Sequence, residues 1–124
     1  PRCHRATESR RREALMADFD VRLTRGAEID LEALHGYVKD NQSAEQAGLL
    51  LGRLLAAIET LETFPLRGSV PKELDALGIR EFRQVLVEPY RLIYRLSGKT
   101  VFVMVIADGR RDMQTLLERR LLGS

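Results

Sequence analysis

Seven residues do most to limit what this chain can fold into: VFVMVIA, residues 101–107. The run is almost wholly apolar and rich in β-branched side chains, with Ser-Gly-Lys at 97–99 before it and Asp108-Gly109 after it. A strand without a polar face is covered on much of both faces, so it belongs inside a sheet that has layers on either side. The rest of the chain must supply neighbours for that strand and covers for its faces. Met104, within the run, is read as core filler and not as a cofactor contact.

The neighbours follow from period. Residues 79–88 and 91–96 are two further strand candidates, broken from each other by Glu88-Pro89-Tyr90. In the second, Leu92, Tyr94 and Leu96 point one way and Arg91, Ile93 and Arg95 the other. Ser97-Gly98-Lys99 is a compact hairpin turn into the apolar strand. Near the start, DFDVRLT (18–24) alternates Phe19, Val21 and Leu23 with polar residues, the period-2 signal of a strand with one buried face.

The covers are helical. RGAEIDLEALHGYVKD (25–40) puts Ala27, Leu31, Leu34 and Val38 on one face, with Ile29, Ala33 and Tyr37 expected to widen it and Thr24 as N-cap. Glu28, Asp30 and Glu32 crowd its early turns, where negative charge suits the helix dipole; solvated helix surface is preferred there over a metal or acid role. In the stretch 43–65, Ser43 with Gln46 forms a capping box, and Ala47, Leu51, Leu54, Ile58 and Leu61 mark a stripe that Leu50 broadens. That helix ends before Pro65. The two helices read as an antiparallel hairpin, with Gly48 and Gly52 expected to let them approach closely. LRGSVPKELDALG (66–78) is a polar connector with one helical turn, carrying Arg67 and Lys72 toward the sheet. Asp112 caps a last helix with Met113, Leu116, Leu117, Leu121 and Leu122 on its apolar side and Gly123 as its stop. The expected class is α+β: an N-terminal strand, an antiparallel helical hairpin, then three antiparallel strands in one curved sheet and a short C-terminal helix.

At 124 residues, with 44% hydrophobic and 31% charged residues, the chain suits one ordinary globular domain. No apolar run is long enough to span a bilayer. Cys3 is the single cysteine, so no intrachain disulfide can form, and a reducing cytoplasmic setting is expected. With only His4 and His35 besides, far apart, no metal and no cofactor is expected. Residues 1–16, PRCHRATESRRREALM, read as a disordered or non-native extension, and 17–124 as the domain. Charge is uneven. Residues 17–62 hold 4 basic and 9 acidic residues; 63–124 hold 11 basic and 7 acidic. An acidic helical half and a basic half can orient a partner but do not name one.

Candidate chemistry sits in the basic half. Lys72, Arg83, Arg91, Arg110 and Arg111 are expected to crowd one sheet edge, where guanidinium forks suit phosphates or carboxylates. Against this, Arg91 can pair with Glu81 or Glu88, and Arg111 with Asp112 or Asp108. Cleaving RNA needs a base and an acid beside charge stabilisation. Arginine stays protonated and cannot be that base. His4 lies in the extension and His35 on a helix away from its apolar stripe. Asp108 or Glu81 could take a proton, yet a carboxylate beside arginines has its pKa lowered and is a weaker base. Tyr90 and Tyr94 could donate. The set is incomplete for a nuclease, and no aromatic follows Phe102 to stack on bases.

Four segments in order, LRGSVPKEL, LGIREFRQVLV, PYRLIYRL and VIADGRRDMQTLL, together with VRLTRGAEIDLEAL, resemble the RelE/ParE superfamily of toxins from bacterial toxin–antitoxin pairs. The resemblance covers residues 19–121 and implies the fold derived above. It also implies a cognate antitoxin that wraps the toxin and itself binds operator DNA. Two activities occur in the superfamily: RelE-like members cut messenger RNA in the ribosomal A site, and ParE-like members inhibit DNA gyrase. Arg91 stands where RelE-like enzymes keep a phosphate-contacting arginine. Asp108 stands where many members keep a histidine, and no tyrosine after Tyr94 matches the catalytic one of some nucleases. The long second helix and the GRRD ending look more ParE-like. The resemblance therefore implies a gyrase inhibitor that binds without cleaving. The alternative is a ribosome-dependent endoribonuclease, with Arg91, Arg83 and Arg110 on the phosphate and Asp108 or Glu81 handling protons. A further alternative is a degenerate, non-toxic antitoxin-binding protein. The antitoxin segment is expected over the helices, the sheet edge and part of the basic cleft.

Overall fold

The structure is a computed structural model, described for residues 19–123. The expected extension, residues 1–16, lies outside the described residues. Strand β1 (Asp20–Leu23) leads into α1 (Arg25–Asn41) and α2 (Ala44–Thr60). A single-turn helix α3 (Lys72–Asp75) precedes β2 (Phe82–Val87), β3 (Tyr90–Ser97), β4 (Thr100–Asp108) and the C-terminal helix α4 (Met113–Leu122). The four strands form one sheet in the order β1-β4-β3-β2. The apolar strand is thus interior. β3 pairs antiparallel with both neighbours, and β1 adds to β4 in parallel.

Each hairpin helix starts where a hydroxyl takes an otherwise orphaned amide. Thr24 Oγ1 accepts from Ala27 N at 3.2 Å, and Ser43 Oγ from Gln46 N at 3.0 Å. The return half of the capping box is not made among the described residues; Gln46 instead lines a surface groove. Ala27 and Val38 are buried, but Ile29 (49% exposed) and Tyr37 (64%) do not widen the buried face. At about 100° per residue Ile29 falls nearly opposite the Ala27–Val38 stripe, and Tyr37 falls about a quarter-turn from it, on the same flank as Asp30. Gly48 and Gly52 do not bring the helices together either. Both are exposed, and a Cβ on either would meet nothing within 4 Å.

The sheet separates two apolar layers. The hairpin packs Ala47, Leu50, Leu54, Ile58 and Leu61 against Val85, Leu92, Tyr94, Val101 and Val103. On the other face α3 and α4 cover Phe82, Ile93, Val105 and Ala107 with Leu74, Met113, Leu116 and Leu117. Met104 packs, partly buried, on this second layer. It also marks a bulge, since Ile93 pairs with Val105 but Tyr94 with Val103. β2 begins at Phe82 instead of residue 79, because the connector closes back on itself. Ile79 N bonds Leu74 O at 2.9 Å across Gly78, whose φ of 79° suits glycine. Asp112 caps α4 through Thr115 N at 3.2 Å, and Gly123 ends it at φ 78°. Leu121 packs on the second layer, but Leu122 stays 41% exposed.

Candidate functional site

The five basic residues do not share one surface. Strand parity decides this. Leu86 pairs with Arg91, so Arg91 faces the α3/α4 layer, while Arg83, on the odd positions of β2 with Val85 and Val87, faces the hairpin layer.

Arg91 is buried, at 8% exposure. Its Nη1 and Nη2 donate to the two carboxylate oxygens of Glu73 at 2.9 and 2.8 Å, and its Nε to Gln84 Oε1 at 2.7 Å. That fork-to-fork contact leaves no free edge for an outside anion. Glu73 replaces Glu81 and Glu88 as the partner, because the α3 turn brings residue 73 over the start of β3; Glu81 and Glu88 stay exposed. The Arg91 hydrogen bond holds the Glu73 carboxyl below the usual carboxylate range. Gly109 makes room for the arginine stem, since a Cβ there would come within 2.9 Å of Arg91 Cδ.

Arg83 serves the connector. Its Nη1 donates to Gly68 O at 2.7 Å, while Gly68 N donates to the Tyr94 hydroxyl at 3.0 Å. Burial pushes the Tyr94 hydroxyl up, away from any role as a proton donor near neutral pH. Two short backbone bonds, Ser69 N to Gln84 O and Gln84 N to Ser69 O, then lay the connector along β2.

What faces solvent is the turn after β4. Arg110 lies exposed beside Asp108, donating Nε to Oδ1 at 2.9 Å and Nη2 to Oδ2 at 2.5 Å, with its amide also on Oδ1 at 2.9 Å. These bonds hold the Asp108 carboxyl at about 2, so it is ionised and a very weak base at neutral pH. Asp108 pairs with Arg110, not with Arg111; the Arg111 amide bonds Asp108 O at 3.1 Å and its side chain is exposed. Lys72 is exposed at the start of α3, next to Glu73, and Glu81 is exposed before β2. Arg110, Arg111 and Lys72 are therefore the solvent-facing cations of the five. Tyr90 sits beside this turn, paired across the ladder with Asp108.

Three features were missed. Asp30 is no solvated helix acid. Its carboxylate takes Arg120 Nη1 and Nη2 at 3.0 Å each and Ile106 N at 2.9 Å, and Arg120 Nη2 also reaches Met104 O at 3.1 Å. The helical position of Asp30, beside the apolar stripe, was the available signal. Arg53 on α2 donates Nη2 to Glu88 O at 2.8 Å. A groove of about 300 Å³ opens beside it, lined by Val38, Gln42, Gln46, Leu49, Leu50, Arg53, Pro89 and Tyr90. Among the described residues no His, Cys, Asp and Glu group is arranged to hold a metal ion, and no helix is long and apolar enough to cross a membrane.

Comparison with known proteins gives a consistent picture. The family model described as "ParE toxin of type II toxin-antitoxin system, parDE" matches residues 21–113. Toxin ParE3 of Caulobacter vibrioides is 30% identical over 97 residues, which is 78% of this chain and 93% of that protein. A solved structure, "Chromosomal ParDE TA system from P. aeruginosa", superposes with a TM-score of 0.62 at 18% identity, covering 73% of this chain and 95% of that one. That last likeness is one of fold.

Proposed function

The chain belongs to the ParE toxins of type II toxin–antitoxin systems, and from that premise we propose that it disables DNA gyrase by binding it, without cleaving a nucleic acid. An antitoxin is its natural partner. Operator DNA is contacted only through that antitoxin, and the complex works in the cytoplasm.

The observation that carries the binding mode is the state of the would-be catalytic groups. Four of the five are already committed to a neighbour, while Glu81 stays exposed before β2. Arg91 is closed on Glu73, Arg83 on Gly68, and Asp108 on Arg110. A general base must be free to take a proton at neutral pH. Asp108, held at about 2, is poorly suited to that work. Arg111, exposed at the end of β4, and Arg110, exposed and with its Nη1 not donated to Asp108, are suited to another task, gripping an anionic surface.

The test is a pair of assays on one preparation. Gyrase supercoiling should fall, with cleavage complexes accumulating, as the purified chain is added. Ribosome-bound message probed by primer extension should show no codon-positioned cuts. Unchanged supercoiling at high molar excess removes gyrase as the target, and cuts on the ribosome would replace the binding mode with an endoribonuclease.

A further inference from the structure

We propose that Gly109 is a positioning residue for target binding: seated on the stem of Arg91, it fixes the direction in which Arg110 and Arg111 leave the end of β4. The inference rests on the reading of those two arginines as the grip on gyrase, and adds what aims them. Gly109 is the first residue beyond β4. Its amide donates to Pro89 O at 2.8 Å, which carries the bonding between β3 and β4 one step past the Tyr90–Asp108 pair. A Cβ at this position would lie 2.9 Å from Arg91 Cδ, 3.0 Å from Arg91 Cγ and 3.2 Å from Pro89 O. The backbone at 109 is not left-handed, unlike that at Gly78, Gly98 and Gly123. An alanine is therefore refused at 109 by contact and not by conformation.

A free arginine stem would swing aside for a methyl group. This one is clamped at its far end. Its Nη1 and Nη2 donate to Glu73 at 2.9 and 2.8 Å, its Nε donates to Gln84 at 2.7 Å, and the residue is buried. Pro89 O is a backbone atom that already accepts from the Gly109 amide. Carbon atoms pack best at about 3.5–4.0 Å, so a Cβ at 109 needs roughly half an ångström or more of relief. With the floor fixed, the turn has to supply it by lifting off the sheet. The displacement passes straight to the arginines. The Arg110 amide bonds Asp108 Oδ1 at 2.9 Å and the Arg111 amide bonds Asp108 O at 3.1 Å, so both bonds bracket residue 109. Binding groups work within about 0.5 Å and 10–20° of their productive geometry, and a long side chain magnifies a rotation at its root. The buried Arg91–Glu73 pair thus has a second task besides stability. It makes rigid the floor on which the turn is set, and through Glu73 the α3 connector shares in aiming it.

The experiment compares the full chain with Gly109→Ala, Gly48→Ala and the double variant Arg110→Ala, Arg111→Ala in gyrase supercoiling, each well below its thermal midpoint. Gly109→Ala keeps both arginines and should still weaken inhibition by about tenfold or more. Gly48→Ala makes the same chemical change at an exposed position on α2, where a Cβ meets nothing within 4 Å, and should inhibit as the wild type does. The place of the turn is read by carbon-13 NMR of the Asp108 carboxyl. In the wild type it should titrate at about 2, held there by Arg110. In Gly109→Ala it should move up toward the ordinary 3.8 as the turn shifts, which a change in stability alone would not produce. Amide exchange gives a check that needs no variant: the Gly109 amide of the wild type should be protected together with β3 and β4. An unprotected Gly109 amide, or an Asp108 that does not move in Gly109→Ala, overturns the positioning role. So does a Gly109→Ala chain that inhibits as the wild type does while the double arginine variant does not, and that result leaves the grip standing. A double variant that inhibits in full overturns the reading beneath, and the positioning role falls with it.

Discussion

Arg91 carries its charge to a place where less than a tenth of its surface meets water, and Glu73 alone neutralises it there. Removing the carboxylate leaves a buried cation unpaired, so Glu73→Gln should cost about 3–5 kcal/mol in urea unfolding. The pH dependence has a definite sign. Because the folded carboxyl is held below its ordinary value of 4.5, the unfolded state binds more protons as the pH falls toward it. The stabilisation is full above that value and is lost as pH drops through the lower folded value. The gap between wild type and Glu73→Gln should therefore be constant near neutrality and close in acid. Equal gaps at neutral and acid pH would mean that the pair does not titrate with folding. At this scale the caps were legible, since Thr24, Ser43 and Asp112 act on amides three residues away. The partner of Arg91 was not. Glu73 lies 18 residues off and reaches it only because the connector coils into α3, whereas Glu81 and Glu88 look nearer along the chain.

Helix α4 is fastened at two points of different kind. Its first turns bury Met113, Leu116 and Leu117 in the second apolar layer; its last turn is tied by Arg120 to Asp30 on α1. The tie also occupies Ile106 N and Met104 O, on the stretch of β4 beyond Val103, where pairing with β1 stops. A two-pronged ion pair thus takes the place of strand neighbours on an open edge, where unpaired backbone groups would otherwise invite association. Asp30→Asn should cost about 1–3 kcal/mol and speed exchange at the end of α4 more than at its start. The cycle with Arg120→Ala should be strongly non-additive, because each variant removes the same bonds. Additive losses would separate the two residues. The strands, the hairpin and α4 were all legible from period. The bulge at Met104 was not, since an extra residue in a wholly apolar run leaves the pattern intact, and without the bulge the role of Asp30 has no visible cause.

Across the whole molecule the two halves take different work. The hairpin carries the excess of carboxylates; the turn after β4 presents Arg110 and Arg111. The uneven charge was readable along the chain, but the sorting of arginines onto two faces was not. It depends on the register that sets Leu86 opposite Arg91, and a shift of one residue would have put Arg83 on the other layer. That sorting makes the solvent-facing set small and separable from the core. Neither Arg110 nor Arg111 holds another element in place through its side chain: Arg110 bonds only Asp108 in its own turn, and Arg111 is bonded through its amide. The double variant Arg110→Ala, Arg111→Ala should therefore unfold within about 2 °C of the wild type. Gyrase inhibition should weaken by at least about tenfold, and the growth arrest expected on expression without antitoxin should be relieved. Arg91→Ala makes the contrast: it should also lose toxicity, but through an unpaired Glu73 and a clearly lower midpoint. If the exposed pair can be removed with inhibition intact, the grip lies elsewhere on the surface, and the arginine turn is polar rim.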